Sequence, residues 1–281
     1  MSSLLEFSGD GTPSGRYEII HCKRALSPSA LPDMDYALNP YSGCEHGCVY
    51  CYAPEVTHSE WSNWRVVRVK ANIVERLSKE LPNVDGIIGI GTVTDPYQSV
   101  ESSFCLTRRC LEKLAREGGR IHMHTKSDLI LRDMDLLKQL EGMIAVTVTG
   151  IDDRYSKMTE PGAPLPARRL NALRELTEAG LDAYALIGPV LSHIEGKEEG
   201  FADAVASTGV RKAYIDRLNT RPLLGERLAR MGISGGSAGS VSRLKTCLSD
   251  RGIEVHDVFR GRDKRMRSAD FIYNESRQSG Q

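Results

Sequence analysis

The sequence has no excess of charge of either sign: Lys plus Arg and Asp plus Glu each number 37, leaving a net charge of zero. Domains whose main task is gripping polyphosphate carry a basic surplus, so nucleic acid is not the favoured partner. It has no apolar run approaching the roughly 20 residues that cross a bilayer, so no membrane partner is expected. The opening Met1-Ser2-Ser3-Leu4-Leu5-Glu6 lacks the charged-then-apolar order of an export signal, and a cytoplasmic location is the expectation. Cysteines number seven, an odd count that disfavours a disulfide framework. Aromatics make up only 6%, yet a 40% hydrophobic fraction over 281 residues can fill the core of one large domain, or of one domain with a small appendix. No internal repeat is visible.

What the chain does contain is an alternation of short apolar runs with helical patterns, the mark of βα units and a parallel sheet. Strands are expected at 36–40, 86–92, 120–125, 143–149, 182–187 and 212–217, with helices at 70–81, 107–117, 133–140, 166–179 and 197–207. Ala172, Leu173, Leu176 and Ala179 give one helix its apolar stripe, Pro166 suits its first turn and Gly180 its end. Six such units are too few for a closed eight-fold barrel, so an open, partial one is expected over 34–218. Residues 1–33 read as an N-terminal arm or cap, and 219–281 as a small C-terminal extension. Within the extension, the Gly/Ser-rich stretch 232–240 reads as a flexible loop, 242–251 as a helix and 253–259 as a last strand. The basic run 260–267 is either a solvated end or a phosphate-facing patch.

The sharpest motif is Cys44-x3-Cys48-x2-Cys51, directly after the first expected strand. Three thiolates in one loop can grip one face of an iron–sulfur cube and leave the fourth iron without a protein ligand. Structural zinc wants four ligands, and neither His46 nor His58 stands at a standard finger offset. A ferredoxin-like carrier wants a fourth Cys nearby, and Cys105 falls in a different element. An open cluster is therefore the expectation over zinc, a disulfide or chance.

Period two splits the strand at 120–125, with Ile121 and Met123 toward the helices and His122, His124 and Lys126 inside the barrel. A buried lysine needs an anionic partner, so Lys126 at the strand end is a candidate for holding a ligand carboxylate. His122 reads as a core residue; His124 fits core or site equally. In the next strand Thr147 and Thr149 point inward, toward a ribose or simply into packing. The second strand runs out into Gly91-Thr92-Val93-Thr94-Asp95-Pro96-Tyr97-Gln98, where Thr92, Asp95, Tyr97 and Gln98 are the candidate catalytic residues. Its G-x-G lacks the third glycine of a dinucleotide fingerprint. Cys110, on a helix, is a small buried hydrophobe by default.

Taken together, the cysteine triplet with Tyr50 before its last member, Thr94-Asp95-Pro96-Tyr97-Gln98, Thr125-Lys126-Ser127, Arg132-Asp133, and Glu160-Pro161-Gly162-Ala163-Pro164 followed by Arg169-Leu170 resemble the radical S-adenosylmethionine superfamily. Within it they are most similar to the spore photoproduct lyase-like group. The resemblance runs over about 36–190 and implies an α/β fold, a partial (β/α)6 TIM-type barrel. It implies a [4Fe-4S] cluster on Cys44, Cys48 and Cys51, with S-adenosylmethionine on the open iron. Reductive cleavage would then give a 5′-deoxyadenosyl radical that takes hydrogen from a substrate. Lys126 would pair with the cofactor carboxylate and Thr147 contact its ribose, with Tyr50, Tyr52, Thr94, His124, Glu160 and Arg169 completing the cofactor site. A flavodoxin- or ferredoxin-type electron donor follows from the same likeness. The sequence departs from the group at Thr92, where spore photoproduct lyase has a hydrogen-donating Cys, and this argues against repair in that manner. The expected substrate is a small molecule or a residue on another protein. DNA photoproduct repair or nucleic-acid modification, and a non-catalytic metal-binding or electron-transfer role, stand as the alternatives.

Overall fold

The computed structural model describes residues 4–5, 17–31 and 33–258. The strands in chain order are β1 (Leu4–Leu5), β2 (Tyr17–Ile20), β3 (Leu26–Pro28), β4 (Tyr36–Leu38), β5 (Tyr41–Ser42), β6 (Val67–Lys70), β7 (Ile87–Ile90), β8 (Arg120–Thr125), β9 (Glu141–Thr147), β10 (Asp182–Val190), β11 (Lys212–Arg217) and β12 (Glu254–Asp257). β4, β7, β8, β9, β10 and β11 lie side by side in sequence order and pair in parallel. These are the six expected barrel strands. β12 adds a further parallel strand beside β11, and β3 runs antiparallel on β4. The sheet is therefore curved but open, with β12 and β3 at its two edges.

The connecting helices form where the apolar spacing requires them. In Leu106–Glu117 the buried positions Leu106, Cys110, Leu111 and Leu114 make one stripe, and Gly118 ends the helix at a φ of 73°. In Pro166–Glu178 the proline opens the helix, and Ala172, Leu173 and Leu176 face the sheet. Ile121, Met123, Ile144, Val146 and Val148 pack beneath these helices in the main core, on the face that period two assigns to them. Of the expected helix at 133–140 only Met134–Leu137 is α-helical, and a 3-10 turn, Asp128–Asp133, leads into it.

Two features were not legible beforehand. A second sheet, in the order β1-β2-β6-β5, stands beside the barrel. β5 and β6 pair antiparallel, Tyr41 opposite Val69, so the cysteine loop is closed by a pair of strands rather than left open. The alternation Val67-Arg68-Val69-Lys70, with both valines fully buried, is the signal that marks β6. The second is the helix Pro222–Arg230, which buries Leu224 and Leu228 against Cys48, Val49 and Tyr50.

The Gly/Ser-rich stretch is not the flexible loop expected of it. Gly235 bridges Leu191, the Gly236 amide donates to the Val190 carbonyl at 3.0 Å, and Ser237 caps the helix Ala238–Asp250. A Cβ on Gly236 would stand 2.9 Å from Val190 Cγ1, so glycine here permits close packing rather than motion. The last strand ends at Asp257, and the basic run 260–267 lies outside the described residues. Among the described residues no helix is long and apolar enough to cross a membrane.

Candidate functional site

The cysteine loop begins at Gly43, whose φ of +86° suits glycine alone. A Cβ there would sit 2.7 Å from the Val66 carbonyl oxygen and 2.8 Å from that of Trp64. This turn brings the Cys44 amide to the Trp64 carbonyl at 2.9 Å. Cys44 and Cys48 are buried and Cys51 half-buried, and all three are free thiols. Burial pushes each thiol up, Cys48 to about 12, with neighbouring negative groups adding to the effect at Cys44.

Two segments fasten the loop from the barrel's C-terminal end, where parallel barrels keep their sites. The first is Thr94–Gln98. Thr94 and Gln98 donate to the Gly43 carbonyl at 2.5 and 3.3 Å, and the Glu45 amide donates to Gln98 Oε1 at 2.8 Å. Asp95 accepts from Thr125 Oγ1 and from the Lys126 amide, both at 2.7 Å, tying the loop to the end of β8. Asp95 also accepts from the Tyr97 amide at 2.9 Å and lies 3.4 Å from His46 Nδ1. Burial lowers the His46 pKa despite Asp95, so the imidazole is neutral. His46 faces this carboxylate, and His58 is exposed in a turn.

The second segment is Thr159–Gly162. The Val49 amide donates to the Thr159 carbonyl at 2.8 Å, and the Gly162 amide to that of His46 at 3.0 Å. A Cβ on Gly162 would lie 2.1 Å from the Glu45 carbonyl oxygen, which explains the glycine. Between them, Glu160 is fully buried and paired with fully buried Arg169 at 2.6 Å. Tyr50 donates its hydroxyl to Glu160 Oε1, and Thr149 donates to Oε2 at 3.2 Å. Burial pushes this carboxyl up, but Arg169 and Lys126 outweigh it and hold it down at about 2.

Lys126 faces this group from the end of β8, with Nζ 5.7 Å from the Tyr50 ring centroid. Its ammonium makes no hydrogen bond or ion pair with another described residue. Burial pulls its pKa down, yet the neighbouring acidic groups, among them the ionised Glu160, outweigh burial and raise it, so it stays protonated. Thr147 is buried at the end of β9. Thr92 accepts from Asn39 Nδ2 at 2.9 Å, and the partly exposed Tyr52 hydroxyl reaches the Thr92 carbonyl at 3.5 Å.

The sequence-expected residues thus fall into two sets. Lys126, Thr92 and Tyr52 are only partly buried at the barrel mouth, with Thr147 buried just below them. Thr94, Asp95, Tyr97 and Gln98 are buried, as are Glu160 and Arg169, whose charges are committed to each other. Tyr50 is turned onto Glu160. His124 lies deeper, with Nε2 3.4 Å from His122 Nε2 and 3.3 Å from the Tyr184 hydroxyl. Burial, with His122 and Lys126 adding, lowers its pKa to about 3. The remaining cysteines lie elsewhere: Cys22 on Asn72, Cys105 beside Arg132, Cys110 and Cys247 in the core. Sequence reasoning missed Arg227, which donates to the Val49 and Cys51 carbonyls at 2.7 and 2.8 Å and lies 3.6 Å over the Trp61 ring.

The donor set fits a cluster held at three corners. Three desolvated thiols share one braced loop, and the Lys126 ammonium that faces it has no ion-pair partner among the described residues. Among the described residues no His, Cys, Asp or Glu trio is tight enough for a single metal ion. Thiolates on separate corners of a cube need no such convergence.

Fold and site together define a parallel-barrel protein with a thiol-bearing loop at the mouth of the barrel. The family model of the radical SAM superfamily matches residues 38–203, and the chain belongs to that superfamily. Among its relatives, an uncharacterized protein of Methanocaldococcus jannaschii is 33% identical over 177 residues, 61% of this chain and 66% of that one. An uncharacterized protein of Mycobacterium tuberculosis is 32% identical over 213 residues, covering 67% of this chain and 62% of the relative. The chain thus spans just under two thirds of these relatives' length. Spore photoproduct lyase complexed with dinucleoside spore photoproduct superposes with a TM-score of 0.65 at 15% identity, over 85% of this chain and 81% of that one. A radical SAM methyltransferase from Sphaerobacter thermophilus gives 0.53 at 18% identity, over 83% and 67%. At such identities the likeness speaks for the fold.

Proposed function

We propose that this chain is an enzyme that binds a [4Fe-4S] cluster through Cys44, Cys48 and Cys51, binds S-adenosylmethionine beside it, and takes a hydrogen atom from a substrate. When bound, the pair supplies one-electron reductive cleavage to methionine and a 5′-deoxyadenosyl radical. The observation that carries this reading is the braced three-thiol loop facing the Lys126 ammonium.

The protein's own part is to hold and orient. Lys126 stays charged in a partly desolvated place, so it is suited to an anionic ligand group such as the cofactor carboxylate. Thr147, Thr92 and Tyr52 present hydroxyls around the same mouth. Asp95, Tyr97 and Gln98 act as positioning residues: Asp95 and Gln98 bond to backbone of the cysteine loop and β8 end. Glu160 and Arg169 fix the Tyr50 ring, and through it the surroundings of Lys126. Arg227 and the helix Pro222–Arg230 close the outer side of the loop and exclude water. A flavodoxin- or ferredoxin-type reductant is the expected electron source.

Thr92 stands where a thiol would serve photoproduct repair, and this favours a small molecule or a protein residue as substrate over DNA. Anaerobic reconstitution with iron and sulfide tests the reading. The expected result is cluster absorbance and 5′-deoxyadenosine released from S-adenosylmethionine under dithionite. A protein that binds no iron, or whose metal is coordinated by four side chains, would overturn it.

A further inference from the structure

The inward face of the barrel is layered. At its floor, at the N-terminal ends of the strands, Lys212 closes on Asp182 at 3.0 Å. Above this runs a ladder of rings: His122 Nε2 lies 2.7 Å from the Tyr184 hydroxyl, Tyr184 packs on Tyr214 with centroids 4.6 Å apart, and Tyr214 stacks on His256 at 4.8 Å. Burial lowers the His122 and His124 pKa values, so this part of the ladder is neutral. At the mouth, Lys126 stands at the end of β8, and Asp216 stands at the end of β11, three strands away in the sheet.

Asp216 faces inward by strand alternation, since it is two residues beyond Tyr214, whose ring lies within the ladder. A Cβ built on Gly188 of the neighbouring β10 would lie 3.2 Å from Asp216 Cβ, so the glycine leaves space in front of the carboxylate. Its side-chain partner is Asn219 Nδ2, at 3.3 Å, and no cation pairs with it among the described residues. Other half-buried or buried carboxylates near the mouth are differently placed. Glu160 has Arg169, and Asp95 is bonded to backbone and hydroxyl groups. A partly desolvated carboxylate without a counter-charge is costly unless a ligand supplies one. Consistently, burial pushes the Asp216 carboxyl up to about 6.

We propose that Asp216 is a substrate-binding residue, and that the substrate carries a cationic nitrogen, an amine or amidine, next to a flat apolar or aromatic portion that lies along the ring ladder. This rests on the reading of the mouth as a substrate cavity, with Lys126 serving the anionic end of the cofactor. The two charges would then sort the two ligands, the anion-bearing one to β8 and the cation-bearing one to β11.

The test uses benzylamine, protonated at pH 7.5, against its neutral counterpart benzyl alcohol. Binding to the full chain is followed by ligand-observed NMR, without cluster and again after loading with cluster and S-adenosylmethionine. The expected result is that benzylamine binds about tenfold or more tightly than benzyl alcohol, and that D216N removes this preference. Equal binding of the two probes to the wild-type chain, a comparison that needs no variant, would overturn the proposal. So would a preference for the amine that survives D216N. A D216N protein that loses S-adenosylmethionine affinity by the same factor would assign the carboxylate to that cofactor instead, and would also overturn it. Failure of the chain to cleave S-adenosylmethionine would count against the functional reading alone, because the amine comparison is read without cluster.

Discussion

Removing the Arg169 guanidinium gives the most exacting test of how the site is held. Arg169 and Glu160 are both fully buried and 2.6 Å apart, and Glu160 also accepts from Tyr50, Thr149 and Ser156. Arg169→Met leaves this carboxylate with Lys126 as its nearest cation. Breaking a buried pair from one side costs about 3–5 kcal/mol. The net pH-dependent contribution of Glu160, in which Arg169, Lys126 and the Tyr50 hydrogen bond together outweigh burial, is of a similar size. The Glu160 pKa falls from its ordinary value of 4.5 to about 2, and a difference of roughly 2.5 units at 1.36 kcal/mol each is about 3 kcal/mol. The folded pKa is depressed, so this stability is fully present above pH 4.5 and is lost as the pH falls from there through about 2. Urea unfolding of the cluster-free chain at pH 7 should show a loss of several kcal/mol for Arg169→Met. The pair Glu160→Gln with Arg169→Met should cost less than the sum of the two single changes, because the stranded charge is gone. A loss under about 1 kcal/mol for Arg169→Met, or strict additivity in the double variant, would refute the coupling described here.

Other consequences are as direct. Alanine at Cys44, Cys48 and Cys51 together should abolish both cluster absorbance and 5′-deoxyadenosine formation; a triple variant that still cleaves S-adenosylmethionine would reject the ligand assignment. Lys126→Ala should weaken S-adenosylmethionine binding by about 1.5–3 kcal/mol, read by calorimetry on reconstituted protein, and unchanged affinity would discard its role. Gly43→Ala should cost more than about 1 kcal/mol and lower cluster retention, since a Cβ meets two carbonyl oxygens at 2.7 and 2.8 Å. Arg227→Met should raise amide hydrogen exchange across residues 44–52 in the cluster-free chain, and unchanged exchange would remove it from the loop's fastening.

Much of the fold is local in origin and could be read from the chain. Strand alternation placed Ile121 and Met123 under the helices and His122 and His124 inside, because the side-chain period of a strand needs no tertiary knowledge. Helix ends were equally readable at Pro166 and Gly180. β6 and the helix Pro222–Arg230 were not, since each is short and gains its stability by packing on segments far away in sequence. The Gly/Ser stretch misled for a related reason. Glycine marks freedom in an isolated chain but close approach in a packed one, and only the contacts of Gly235 and Gly236 distinguish the two.

The same division runs through the site. The chain alone determined the cysteine triplet, its glycine-bearing turn and the inward set at the end of β8, all of them matters of spacing along one segment. Only the tertiary structure decided what those residues meet. Tyr50 and Glu160 are 110 positions apart, Val49 and Arg227 are 178 apart, and whether a buried charge is paired or left for a ligand depends on which strands become neighbours. Glu160 and Arg169 neutralise each other, whereas Lys126 and Asp216 face the mouth without such a partner among the described residues. Desolvation and pairing are properties of the assembled barrel, and no local pattern of residues carries them.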